Sequence, residues 1–125
     1  MHYEISQKFY FDAAHTLQRE IEVEGSRRIH GHTYHAEVFL TGQPDPRTGM
    51  VKDLGLVRLA IKNLRTRLDH HLLDEVEGLG IPTLENLCAF VFRELGRELP
   101  GISKVRVWRE ARGDSCTLSA AVAGA

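Results

Sequence analysis

The sequence has few cysteines, few prolines and no long apolar segment. Its 125 residues include two cysteines and four prolines, and two cysteines cannot build the disulfide framework that stabilises many small secreted domains. No apolar run approaches the roughly 20 residues that cross a bilayer, and the first ten residues lack the apolar stretch of a signal peptide. These absences predict a cytoplasmic protein with reduced cysteines and no membrane partner.

An excess of charge of either sign is also lacking. The chain carries 16 basic and 17 acidic side chains, for a formal net charge of −1, so we expect no nucleic-acid partner. Its length suits one domain with its own core, over residues 1–125. Histidine is the residue in excess, with seven copies. Because histidine is the commonest neutral metal ligand and the usual proton-transfer group, the histidines direct the search for function.

Hydrophobic periodicity predicts the element order β-β-α-α-β-β. Alternation with a period of two indicates strands, and apolar residues at three- and four-residue steps indicate helices capped by Asp53 and Thr83. This order predicts an α+β fold, an antiparallel sheet with both helices on one face. Its exposed edges favour a ring of identical chains. The strands are expected over 3–15, 29–42, 104–110 and 116–122, and the helices over 53–68 and from 83 to about 99.

Three histidines are expected at one end of the first two strands. His30 and His32 are two residues apart on a strand, so their rings point the same way. Antiparallel pairing of the two strands would bring His15 beside them. Three neutral nitrogens with a fourth position open form the ligand set of a catalytic zinc site. The alternative, three hydrogen-bonded strand histidines, is equally compatible with the spacing.

Two further groups are candidates for proton transfer and ligand binding. Asp69 precedes His70 and could orient its imidazole for proton transfer; alternatively, a histidine here only favours the negative end of the helix dipole. Glu110 is expected on the same face as Trp108, where a carboxylate beside an aromatic ring could anchor a heterocycle. The alternative for Glu110 is an ordinary surface glutamate.

Several short motifs occur in a distinctive order from about Phe9 to Glu110. Together they resemble the 6-pyruvoyltetrahydropterin synthase family, especially its short bacterial branch, the 6-carboxytetrahydropterin synthases of queuosine biosynthesis. Each motif is weak alone, but the ordered combination is specific. The motifs are F-D-A-A-H at 11–15, H-G-H at 30–32, G-M-V-K-D at 49–53, L-D-H-H-L-L at 68–73, P-T-L-E-N-L at 82–87 and the glutamate at 110.

The resemblance implies a zinc-dependent lyase with the tunnelling fold. Its substrate would be 7,8-dihydroneopterin triphosphate or a related dihydropterin, and the chain would form a homohexamer of two stacked trimers with sites between subunits. The implied residues are the zinc ligands His15, His30 and His32, the proton-transfer pair Asp69 and His70, and the pterin-pocket residues Thr83, Glu85 and Glu110.

The sequence departs from the family pattern at one position. A catalytic cysteine usually lies four residues before the first histidine of H-G-H, and here that residue is Ser26. A hydroxyl is far less acidic than a thiol, so Ser26 is a poor base at neutral pH. Three functions remain open: a synthase-type lyase, an aldolase-like cleavage of a dihydroneopterin side chain, and a catalytically impaired homologue that binds zinc and pterin.

Overall fold

A computed structural model describes residues 1–16 and 28–120 of the chain. Four antiparallel strands form one sheet in the spatial order β1-β2-β3-β4, and two helices and a 3₁₀ turn connect β2 to β3. The element order confirms the predicted β-β-α-α-β-β pattern. The elements are β1 Tyr3–His15, β2 His30–Gly42, α1 Leu54–Arg65, the 3₁₀ turn Leu73–Glu75, α2 Leu84–Gly96, β3 Ile102–Arg109 and β4 Asp114–Ser119.

One face of the sheet carries the core. Alternate strand residues such as Phe11, Tyr34 and Val107 are fully buried there, as a period of two requires. The apolar stripes of both helices join the same cluster, so both helices pack on this inner face, as predicted. The buried helix residues are Val57, Ala60, Ile61 and Leu64 of α1, and Leu87, Cys88, Phe90, Val91 and Leu95 of α2.

Both helices begin where capping residues predict. The Asp53 carboxylate accepts a hydrogen bond from the Gly55 N–H at 2.8 Å, and the Thr83 hydroxyl accepts one from the Asn86 N–H at 3.1 Å. These oxygens satisfy donors that have no partner within the helix. The helices end earlier than predicted, α1 at Arg65 instead of 68 and α2 at Gly96 instead of about 99, because 3₁₀-like bonds tighten the chain after each helix.

The last two strands form a hairpin whose boundaries differ from the prediction. β3 starts at Ile102 and ends at Arg109, so Glu110 lies just beyond the strand. β4 runs over Asp114–Ser119 instead of 116–122, and residues 121–125 lie outside the described residues. The turn is tighter than expected because Gly113 adopts a φ of +71°, which lets its N–H reach the Arg109 carbonyl at 2.9 Å.

The segment after α1 returns to the end of β1. The His70 N–H donates to the Asp12 carbonyl at 2.6 Å, and the Ala14 N–H donates to the His71 carbonyl at 3.1 Å. These bonds place the Asp69-His70 motif beside β1, close to its last residue. None of the helices in residues 1–16 and 28–120 has the length and apolar character needed to cross a membrane.

Candidate functional site

Three histidines converge at the end of β1 and β2. His15 faces His30 across the strand pair, and their Nε2 atoms are 2.9 Å apart. The rings of His15 and His30 lie 4.8 and 4.9 Å from that of His32, centroid to centroid. One nitrogen from each ring lies within 4.8 Å of the others. The structure thus brings together the three histidines that the sequence predicts to lie close to one another.

The hydrogen bonds of the rings test whether this cluster suits a cation. His15 Nδ1 lies 3.3 Å from the Pro82 carbonyl, and His30 Nδ1 lies 2.7 Å from the Arg28 carbonyl. A carbonyl only accepts, so His30 Nδ1 carries the proton and His30 Nε2 presents a lone pair. His15 Nδ1 also lies 3.2 Å from the Tyr34 hydroxyl, which can donate or accept, and the metal-binding tautomer of His15 is the one that donates to the Pro82 carbonyl and leaves its Nε2 free. In that tautomer two lone pairs face each other at 2.9 Å, an arrangement that a cation between them stabilises. The donor set therefore fits a metal ion such as zinc.

Burial keeps His15 and His32 in the neutral form that binds metals. Burial is the main cause that lowers the pKa of His15, which is only 1% exposed. Burial, reinforced by the nearby Arg109 guanidinium, lowers the pKa of His32 to about 4. At neutral pH both rings are uncharged, so no proton has to leave before a metal binds.

A cavity of about 980 Å³ opens beside His15. The segment that leads into α2 forms one wall, and its Pro82 carbonyl is the one that fixes the His15 ring. Thr83 and Glu85, which the family resemblance assigns to the pterin pocket, line the same cavity. The structure therefore brings these two residues and His15 into one site.

The Asp69-His70 pair forms a hydrogen-bonded unit beside β1. Asp69 Oδ2 lies 2.9 Å from His70 Nδ1, and Asp69 Oδ1 accepts the Asp12 backbone N–H at 2.9 Å. The bond from Asp12, with the smaller contribution of His70, lowers the pKa of Asp69. His70 has a φ of +61°, a strained backbone for a residue with a side chain.

The exposed imidazole of His70 lies near the cluster but outside the large cavity. Its side chain is 78% exposed, and it lines a shallow depression together with His32 and Thr33. The Asp69 carboxylate fixes Nδ1, so Nε2 is the nitrogen available for proton exchange. The pair can deliver or accept a proton at the surface, at the end of the sheet that carries the metal-type cluster.

Glu110 lies on the other side of the sheet. Its carboxylate accepts the Trp108 indole N–H at 2.8 Å, and the Arg106 guanidinium lies 4.3 Å from the indole ring. Trp108 stacks on His35 at 5.6 Å, and His35 faces away from the core. Glu110 therefore has the aromatic neighbour that the sequence predicts, but among the described residues it lines neither the cavity beside His15 nor the depression beside His32.

Arg109 and Asp114 belong to the site and were missed from the sequence. Arg109 is 5% exposed; its Nη1 lies 3.3 Å from His32 Nε2, and its Nε donates to Asp114 at 2.9 Å. Both residues line the large cavity. The alternation along β3 could have revealed Arg109. It follows Val105 and Val107 at two-residue steps, which predicts that its charged side chain points to the buried face of the sheet.

Comparison with known proteins identifies the family. The sequence profile described as 6-pyruvoyl tetrahydropterin synthase matches residues 4–121. The chain belongs to the 6-pyruvoyltetrahydropterin synthase family. Its fold is accordingly the tunnelling fold, as the solved structure of 6-pyruvoyl tetrahydropterin synthase from Caenorhabditis elegans also indicates, with a TM-score of 0.84, 24% identity and coverage of 97% of both chains.

Two relatives within the family have different names. The 6-carboxy-5,6,7,8-tetrahydropterin synthase of a Synechocystis strain is 32% identical over 93% of this chain and 89% of its own length. The dihydroneopterin monophosphate aldolase of Pyrococcus furiosus is 29% identical over 77% of both chains. Synthase and aldolase members therefore both resemble this chain.

Ser26, the residue at the position of the family's cysteine, lies outside the described residues. The two cysteines of the chain form no disulfide. Cys88 is completely buried in α2, where burial, with Cys116 as the second cause, raises its pKa to about 12. A thiol held protonated in the core is a packing residue, as the helical stripe predicts.

Proposed function

We propose that the protein is a zinc-dependent lyase that acts on 7,8-dihydroneopterin triphosphate or a related dihydropterin. The observation that carries this proposal is the convergence of three imidazoles, with two Nε2 atoms 2.9 Å apart, beside a cavity that contains Thr83 and Glu85. His15, His30 and His32 would hold the zinc ion. When bound, zinc would supply Lewis acidity to the oxygens of the substrate side chain and make the neighbouring C–H and O–H bonds more acidic.

The cavity has the size and lining that a pterin needs. Small-molecule sites usually enclose about 300–1,000 Å³, and this one measures about 980 Å³. Ile81 and Leu84 supply apolar surface for a flat ring, whereas Glu85 and the Thr83 hydroxyl supply polar contacts. A pterin ring presents both kinds of surface, an aromatic face and an edge with N–H donors.

The Asp69-His70 pair would move the proton. Asp69 is ionised at neutral pH because its pKa is lowered, and it holds His70 Nδ1 at 2.9 Å. This contact orients the ring, so that His70 Nε2 can accept a proton from the substrate and return it later. The exposure of the ring supports a site completed by a neighbouring copy.

We further propose a homohexamer of two trimers, with each site shared between copies. Glu110 lies on the outer face of the sheet and the histidine cluster on the inner face, so one pterin can reach both only if two chains contribute. The sheet also ends in β1 on one side and β4 on the other, which suits edge-to-edge pairing. A cytoplasmic location and a role in queuosine biosynthesis belong to the same proposal.

Aldolase-like cleavage is the second candidate. The similarity to dihydroneopterin monophosphate aldolase and the serine at position 26 favour it, because that reaction follows a different proton route. A third possibility is a homologue that binds zinc and pterin without turnover.

Product analysis distinguishes these functions. Zinc-loaded protein is incubated with dihydroneopterin triphosphate or dihydroneopterin monophosphate, and the products are identified by mass spectrometry. The synthase proposal predicts a tetrahydropterin product from the triphosphate, formed slowly by the wild type and faster by Ser26→Cys, with little change in substrate affinity. Ser26→Ala serves as the control for the hydroxyl. A hydroxymethyl pterin would identify the aldolase, and unchanged substrate in every arm would leave the binding homologue.

A further inference from the structure

A buried positive charge lies against the histidine cluster. Arg109 is 5% exposed at the end of β3, and its Nη1 is 3.3 Å from His32 Nε2. Guanidinium carries only donors, so at this contact Arg109 donates to the lone pair of His32. That lone pair is the one through which a ring fixed at Nδ1 would bind a metal.

The positive charge of Arg109 also disfavours a metal cation at His32. A guanidinium remains ionised at all physiological pH values, and two positive charges in a poorly solvated site repel each other strongly. Arg109 therefore stabilises the cluster when no metal is present and opposes a dication when one arrives. Because Arg109 is buried, its side chain has little room to move away from a metal ion.

Asp114 partly cancels the charge of Arg109. Asp114 Oδ1 accepts from Arg109 Nε at 2.9 Å, and its other oxygen accepts from Nη2. This two-point contact across the β3–β4 hairpin holds the guanidinium plane in place. It also supplies a negative charge near the cluster, so the pair as a whole opposes a metal less than Arg109 alone would.

We propose that Arg109 competes with the metal for His32, and that Asp114 limits this competition and so sets the zinc affinity of the site. This inference rests on the proposed zinc site and extends it to two residues outside the ligand set. Both act through His32 and through charge, as positioning residues.

The proposal predicts opposite effects from the two halves of one ion pair. Arg109→Met removes the competing donor and the positive charge, and leaves Asp114 to attract the metal, so zinc should bind more tightly. The change should be about 10- to 100-fold, the size of effect, though of opposite sign, that substitution of a supporting partner of a metal ligand has. Asp114→Asn leaves the charge of Arg109 uncancelled, so zinc should bind more weakly. Arg109→Lys keeps the positive charge and should bind zinc less tightly than Arg109→Met.

Zinc dissociation constants can be measured by competition with a chromophoric chelator, using the full-length metal-free protein and zinc alone as the ligand. Thermal melts followed by circular dichroism show whether each variant is folded. Asp114→Asn tests the proposal without removing Arg109, so a poorly folded Arg109→Met variant does not prevent a decision. Tighter binding by Arg109→Met or weaker binding by Asp114→Asn supports the competition.

Two results would overturn the inference in distinguishable ways. If Arg109 only stabilises the fold, Arg109→Met binds zinc no more tightly than the wild type and Asp114→Asn does not weaken binding, although His30→Ala still loses the metal; Arg109 then has no role in affinity. If His30→Ala binds zinc as tightly as the wild type, the metal site itself is wrong, and the role of Arg109 fails with it.

Discussion

The buried part and the exposed part of the molecule carry different halves of the proposed chemistry. On the inner face, His15 is 1% exposed and its ring is fixed by contacts within the same chain. At the β1 edge the His70 side chain is 78% exposed, and Glu110 is exposed beyond the end of β3. The three metal-type ligands come together within one chain, whereas the proton-transfer and ligand-anchoring residues are exposed at its surface.

This contrast follows from what each half must do. A metal site benefits from neutral, rigid ligands, and burial supplies both by lowering histidine pKa values and restricting rotation. A proton-transfer pair must reach a substrate, so it needs an accessible ring whose orientation is fixed from behind, as Asp69 does for His70. Four variants or conditions test the contrast, from the largest expected effect to the smallest.

The largest effect is expected from the inner cluster. His30→Ala should reduce bound zinc from one ion per chain to almost none, because two remaining imidazoles cannot complete the ligand set, and turnover should be lost with the metal. His35→Ala is the matched control, since His35 lies on the same strand but stacks on Trp108 at 5.6 Å on the outer face. Metal analysis after gel filtration measures both. Full zinc content in His30→Ala would contradict the assignment.

The Asp69-His70 pair should affect the rate of turnover but not the zinc content. His70→Ala should slow turnover about 10²- to 10⁴-fold, the usual contribution of general acid–base catalysis, while zinc stays at the wild-type level. His71→Ala is the neighbouring control, because its Nδ1 bonds to the Asp69 carbonyl at 2.8 Å and leaves the Asp69 carboxylate to His70. Turnover and zinc are measured on the same samples. Equal rates for His70→Ala and the wild type would remove His70 from the mechanism.

Glu110→Gln should weaken pterin binding by about tenfold or more, because charge-assisted hydrogen bonds contribute roughly 1.5–3 kcal/mol. Zinc affinity should not change, since Glu110 lies on the opposite face from the cluster. Fluorescence titration with a non-reactive pterin measures the affinity, and Glu98→Gln, another exposed glutamate, controls for charge. A variant that binds pterin normally would leave Glu110 as a surface partner of Trp108.

The smallest effect concerns stability of the metal-free protein against pH. The pKa of His32 is about 4 in the folded state and 6.5 in the reference state, so the unfolded chain binds its proton more readily. The stability that neutral, buried His32 contributes to the folded state is complete above about pH 6.5 and is lost as pH falls towards 4. Urea unfolding at several pH values should show this decline, and His32→Gln should make it shallower. An identical pH profile in the variant would argue against a neutral, buried His32.

The sequence predicted the inner site better than the outer one. Alternation along β1 and β2 correctly placed His15, His30 and His32 together, because strand geometry fixes which way each side chain points. It also placed Glu110 with Trp108, but nothing in a period of two says whether that face is near the metal. Arg109 was missed although it follows Val105 and Val107 at two-residue steps, since a charged residue is not expected on a core face. The hairpin boundaries depended on a tight turn at Gly113 that periodicity does not encode.

X-ray absorption spectroscopy at the zinc edge tests the central claim most directly. On the purified protein loaded with one equivalent of zinc, we expect three histidine nitrogens at about 2.0–2.1 Å and one further light-atom ligand, with no sulfur. Absence of imidazole scattering, or a sulfur shell at about 2.3 Å from Cys88 or Cys116, would contradict a three-histidine zinc centre.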